Sequence, residues 1–189
     1  MFGRTKDYIK LPYNEKLQNK NVTVALWVKM NGVPKASDLL WHIVSNFNSD
    51  DGEWGHVLWV KPTEIGTSIG AGESNRLQMA TVKNSEIKGI HDNKWHQVVS
   101  TYDFDTNVIR IFIDGELYGE NTAVGSSGGF NSSDEIRWKT RYSWVIGAHA
   151  DLAMGVNSVS KHNFIGLVDE IKIYDVALTE NEVKVMFNY

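Results

Sequence analysis

The sequence predicts an all-β chain: a two-sheet antiparallel β-sandwich with one short C-terminal helix. Three observations carry this. Apolar residues recur with period 2, turn-forming residues punctuate the chain at regular intervals, and there are only 3 prolines in 189 residues. Successive side chains on a strand face opposite ways, so such alternation marks a segment with one side on a core. Many strands separated by turn clusters point to a sandwich rather than to a β/α fold.

Taken in order, the first candidate strand covers residues 7–11. Between Val22 and Met30 the even positions Val22, Val24, Leu26, Val28 and Met30 are apolar. The odd positions Thr23, Ala25, Trp27 and Lys29 are mixed, so the second face is only partly wet. Further strands are expected at 40–45, 54–60, 76–82, 95–102, 143–147 and 164–174. Ile109, Ile111 and Ile113 repeat the alternation, and Asp114-Gly115 then separates two β-prone runs. A type I′ turn needs positive φ at both central residues, which Asp-Gly supplies, so a hairpin is predicted here. Near the C-terminus, Thr179 with Glu182 three residues on forms a capping box, with Leu178 and Val183 as its staple. Val183, Met186 and Phe187 share one face of that helix.

Composition narrows the function. The formal net charge is -4, with no long run of either sign. That disfavours a phosphate-neutralising surface, so no nucleic acid partner is expected. No apolar stretch approaches the ~20 residues of a membrane span, so no membrane insertion is expected. The absence of cysteine rules out disulfides, Cys-based zinc sites and a thiol nucleophile. Met1 is not followed by a basic segment and an apolar core, so no signal peptide is expected. Residues 1–189 read as one domain, a module of a larger extracellular or cell-surface protein.

Five segments together carry a family resemblance. They are Phe2-Gly3 with Asp7-Tyr8-Ile9-Lys10-Leu11, then Val24-Ala25-Leu26-Trp27-Val28-Lys29, then Lys94-Trp95-His96-Gln97-Val98-Val99-Ser100-Thr101-Tyr102-Asp103. Ile111-Phe112-Ile113-Asp114-Gly115-Glu116-Leu117 follows, and the last runs from Phe164 to Tyr174 and on through Ala177 to Val183. In order and spacing the chain resembles the laminin-G-like branch of the concanavalin A-like lectin/glucanase superfamily. Members usually carry another strand before the Phe-Gly segment. The resemblance implies a concanavalin A-like jelly roll of two packed sheets with a terminal helix. It also implies binding of sugars, glycoproteins or protein partners, often with a structural calcium ion; some enzymes of the superfamily cleave glucans.

Asp169 shares strand parity with Ile165, Leu167, Ile171 and Ile173, so its side chain is expected to face the core. A bare carboxylate there is costly and needs a cation or several donors. Two readings follow. In one, Asp169 and Asp7 hold the structural Ca2+ that the resemblance implies, since calcium takes oxygen ligands. In the other, Asp169 caps backbone amides at a strand bend.

Sugar recognition sets a flat aromatic face against the apolar side of a pyranose, with amides and carboxylates for its hydroxyls. Seven tryptophans are available. Trp27 and Trp95 lie inside the family motifs and read as core or sheet-face packing. Loop-adjacent residues are the expected ligand set: Trp41, Asn48, Asp50, Trp54, His56 and Trp59, with Trp138, Arg141 and Tyr142 after the Gly/Ser-rich stretch. Arg137, Lys139 and Arg141 alternate with aromatic residues, as either a solvated hairpin edge or a cradle for an acidic sugar. No run of Glu-x-Asp-x-x-Glu form aligns paired acids. Adjacent Asp169 and Glu170 are expected to point to opposite faces. The expectation is a non-catalytic carbohydrate-binding module with a glycan or glycoprotein partner. The alternatives are an adhesion or assembly domain with a protein partner, and a glycan-active hydrolase.

Overall fold

The computed structural model describes residues 2, 7–35, 40–46, 54–71, 78–83, 89–122, 143–150 and 163–189, and the side chains of 31, 54, 71 and 78–82 are not described. Among them lie eleven strands: β1 (Ile9–Lys10), β2 (Val22–Asn31), β3 (Trp41–Ser45), β4 (Trp54–Val60), β5 (Glu64–Ala71), β6 (Gln78–Lys83), β7 (Asp92–Asp103), β8 (Val108–Ile113), β9 (Glu116–Thr122), β10 (Val145–Ile146) and β11 (Leu167–Tyr174). One α-helix, α1 (Glu180–Phe187), follows. The strands form a six-stranded sheet in the order β1-β10-β3-β4-β5-β6 and a five-stranded sheet in the order β11-β2-β7-β8-β9. All paired strands run antiparallel. The sandwich expected from the alternation is the one that forms.

The core lies between the sheets. The even residues of β2, from Val22 to Met30, are buried there with Ile109, Ile111 and Ile113 of β8. Ile43, Leu58, Val60, Ile65 and Ile69 face them from the six-stranded sheet. The predicted hairpin joins β8 to β9, with Asp114 at φ 50° and Gly115 at φ 79°. Phe2 pairs with Gly166 through two backbone hydrogen bonds of 2.8 and 3.0 Å, tying the start of the chain to the approach to β11.

β5 is absent from the strands expected above. Its inward residues Ile65, Thr67 and Ile69 alternate normally, but Gly66 and Gly70 occupy outward positions and lower its strand propensity. Gly66 has a packing reason. A Cβ there would overlap the indole of Trp59 on the neighbouring strand.

α1 begins as predicted. Thr179 accepts from the Glu182 amide, and the Glu182 carboxylate accepts from the Thr179 amide at 2.7 Å. Its buried Val183 packs with Ala25, Val99 and Phe112, so the helix covers part of the outer face of the five-stranded sheet. Among the described residues no helix is long and apolar enough to cross a membrane.

Candidate functional site

Where the helix stops, the outer face of the five-stranded sheet is partly exposed among the described residues. Two cross-strand rows run over it: Asp169, Trp27 and Gln97 in one, Leu167, Lys29 and Trp95 in the next. Trp27 leans on the last turn of the helix, its ring centroid 5.8 Å from that of Phe187 with 27° between planes. Trp95 stands on the diagonal and is 40% exposed, a high value for an indole. Between them, with Asp169 and Glu170, lies an open recess of about 180 Å³. That is below the ~300 Å³ at which pockets for drug-sized ligands begin, and suits a single ring.

A β-bulge delivers the two carboxylates. The register of β11 against β2 shifts between Asp169 and Lys172, and Glu170 adopts φ 48°. A bulge inserts an extra residue and reverses which parity faces the core. Val168 packs inward before it, and Ile171 and Ile173 after it. This corrects two expectations. Asp169 is exposed on the outer face instead of facing the core, and Asp169 and Glu170 line one recess instead of opposite sides. One oxygen of Asp169 accepts the Glu170 amide at 2.9 Å, and Lys172 lies 3.6 Å from the Glu170 carboxylate. Asp169 thus caps one backbone amide at the bulge.

That geometry does not fit a calcium ion held by Asp7 and Asp169. Asp169 lines the outer-face recess of the five-stranded sheet beside Trp27, whereas Asp7 precedes β1 of the six-stranded sheet, and among the described residues no three His, Asp or Glu side chains gather. Asp7 is half-buried ahead of β1.

The start of β7, which carries Trp95, is pinned by a charged clasp. His96 meets Asp114 through Nδ1 at 2.8 Å and Asp92 through Nε2 at 3.1 Å. Partial burial opposes the imidazolium, but hydrogen bonds and charge from the two aspartates outweigh it and raise the His96 pKa. The Asp92 carboxyl is lowered to about 2, first through its hydrogen bond to His96. Asp114 also accepts the Gln97 amide at 2.9 Å, locking the turn to the strand.

The loop-adjacent ligand set fares differently. Trp41 lies in the core, edge-on to Phe164 at 6.2 Å, because its position on β3 faces inward. His56 is buried inside the sandwich, where burial lowers its pKa to about 3. Trp59 is on the outer face of the six-stranded sheet but buried, its Nε1 donating to Ser68 Oγ at 2.9 Å and Lys61 lying 4.8 Å above its ring. Trp54 opens β4, opposite Ala71. Asn48, Asp50, Trp138, Arg141 and Tyr142 lie outside the described residues. Conversely, Trp27 and Trp95, read as packing residues, are the indoles at the recess. The signal was present in the half-wet odd face of β2.

Residues 3–184 match the family described as the concanavalin A-like lectin/glucanases superfamily. Among solved structures, the botulinum neurotoxin serotype D binding domain superposes with a TM-score of 0.66 at 14% identity, over 99% of this chain and 41% of that one. The binding domain of botulinum neurotoxin DC, in complex with SialylT, gives 0.62 at 13% identity over 96% and 39%. The Ruminococcus gnavus IT-sialidase CBM40, bound to α2,3 sialyllactose, gives 0.64 at 12% identity over 98% and 100%. The chain thus spans about two fifths of the toxin binding domains and the whole of the CBM40. At these identities the likeness is one of fold. No curated protein matches the chain by sequence.

Proposed function

The chain belongs to the concanavalin A-like lectin/glucanases superfamily, and from that footing we propose that it is a non-catalytic carbohydrate-binding module acting outside the cell. The observation that carries the reading is the recess, where an exposed indole stands beside two water-accessible carboxylates. An indole face takes the C–H side of a pyranose, and carboxylate oxygens accept from its hydroxyls. The fold likeness to a carbohydrate-binding module over its whole length supports the same reading. The site is shallow and open to water, which suits holding a sugar rather than excluding water from a reacting bond.

The test is a glycan array followed by calorimetric titration of each hit, on the wild type and on Trp95→Ala. Sugar binding that falls at least tenfold in the variant, with its melting temperature unchanged, supports the proposal. Binding unaffected by Trp95→Ala, or turnover of the hits by pure protein, refutes it.

A further inference from the structure

Resting on the reading that the recess holds sugar, we infer that its ligand is an uncharged pyranose with neighbouring hydroxyls, and not an acidic sugar. The four residues lining the recess are two indoles and two carboxylates, with no cation among them. A guanidinium fork is the group that best matches the carboxylate of a sialic or uronic acid. Lys172 is engaged with Glu170 at 3.6 Å, and Lys29, which pairs with Trp95 on the same face, is not part of the lining. An incoming carboxylate would meet Asp169 and Glu170, and like charges brought together at a partly desolvated site repel.

The same two side chains suit a diol. Asp169 spends one oxygen on the Glu170 amide, which fixes the carboxylate and leaves its second oxygen as an acceptor. Glu170 follows immediately on the bulge, so both acceptors sit at one edge of the recess with Trp95 across from them. Two acceptors on β11 and an exposed indole on the far side of β2 match a ring with adjacent hydroxyls and an apolar flank. A cationic ligand is a poorer match, because Lys172 already compensates half of the negative charge.

The experiment separates this inference from the reading beneath it. An array carrying neutral, amino, sialylated and uronate glycans is probed with wild type, Trp95→Ala and Asp169→Asn. The expected result is hits among neutral glycans, weakened at least tenfold by Trp95→Ala and several-fold by Asp169→Asn. Sialylated or uronate hits that Trp95→Ala abolishes would overturn the ligand class while leaving the sugar reading intact. Hits restricted to amino sugars would overturn it in favour of a cation site. Silence on every glycan, with the protein folded, would remove the sugar reading and this inference with it.

Discussion

The imidazole of His56, on the six-stranded sheet, reaches Ser100 of the five-stranded sheet across the middle of the sandwich, Nε2 to Oγ at 2.9 Å. Ser100 donates to Thr67 Oγ1 at 2.6 Å, and Thr67 donates to the Val57 carbonyl at 3.1 Å. Both hydroxyl protons are then committed, so Nε2 carries the ring proton and Nδ1 is a bare acceptor. Among the described residues no donor reaches that Nδ1. A buried, neutral histidine is the consequence.

Acid therefore destabilises the fold through His56. Its pKa falls from 6.5 unfolded to about 3 folded because burial disfavours the charged ring. Between those values the unfolded chain binds a proton that the native chain refuses, so stability is full above pH 6.5 and declines as pH falls towards 3. The contribution approaches about 1.4 kcal/mol per pH unit. Denaturation curves from pH 7 to 4 should show this slope, and His56→Phe should flatten it. An unchanged slope in the variant would count against the buried neutral ring.

His96 runs the other way. Its raised pKa means that stability from the clasp is full below pH 6.5 and is lost as pH rises through the folded value. In a histidine NMR titration its ring should change charge above pH 6.5, and Asp114→Asn should move that midpoint down. A His96 midpoint below 6.5 would contradict the clasp.

Gly66→Ala should destabilise by about 1–3 kcal/mol, the usual cost of overpacking. The new methyl displaces the Trp59 indole and its hydrogen bond to Ser68. Denaturant midpoints check this, and a variant as stable as wild type would mean that the indole does not lie flat on β5.

Thr179→Ala removes the side-chain acceptor at the start of α1 and should cost about 1 kcal/mol by the same measurement. Because the helix props Trp27 through Phe187, sugar affinity should fall along with stability. A loss of stability without loss of affinity would detach the helix from the site.

How much of this the sequence reveals depends on whether local periodicity survives. Along β2 and β8 nothing interrupts it, and each inward residue lies where alternation puts it. The Asp-Gly turn and the Thr179 cap are equally local, and both formed as read. At β11 one inserted residue reverses parity, and no pattern in Val168-Asp169-Glu170-Ile171 marks the inversion. The recess depends on that bulge, so its carboxylates were assigned to a metal and to opposite faces. β5 was lost to its glycines, whose purpose becomes visible only once Trp59 lies against them. His56 and Trp41 sit beside loops in sequence but face inward in space, a fact fixed by pairing partners far along the chain.

The indole Nε1–H resonances of the seven tryptophans give the most direct test. Titration with a neutral oligosaccharide from the array should shift the signals of Trp95 and Trp27, while Trp59 and Trp144, whose Nε1 groups are bonded to Ser68 and to the Leu17 carbonyl, stay in place. Saturable shifts confined to other indoles, with Trp95 and Trp27 unmoved, would contradict a sugar site on the outer face of the five-stranded sheet.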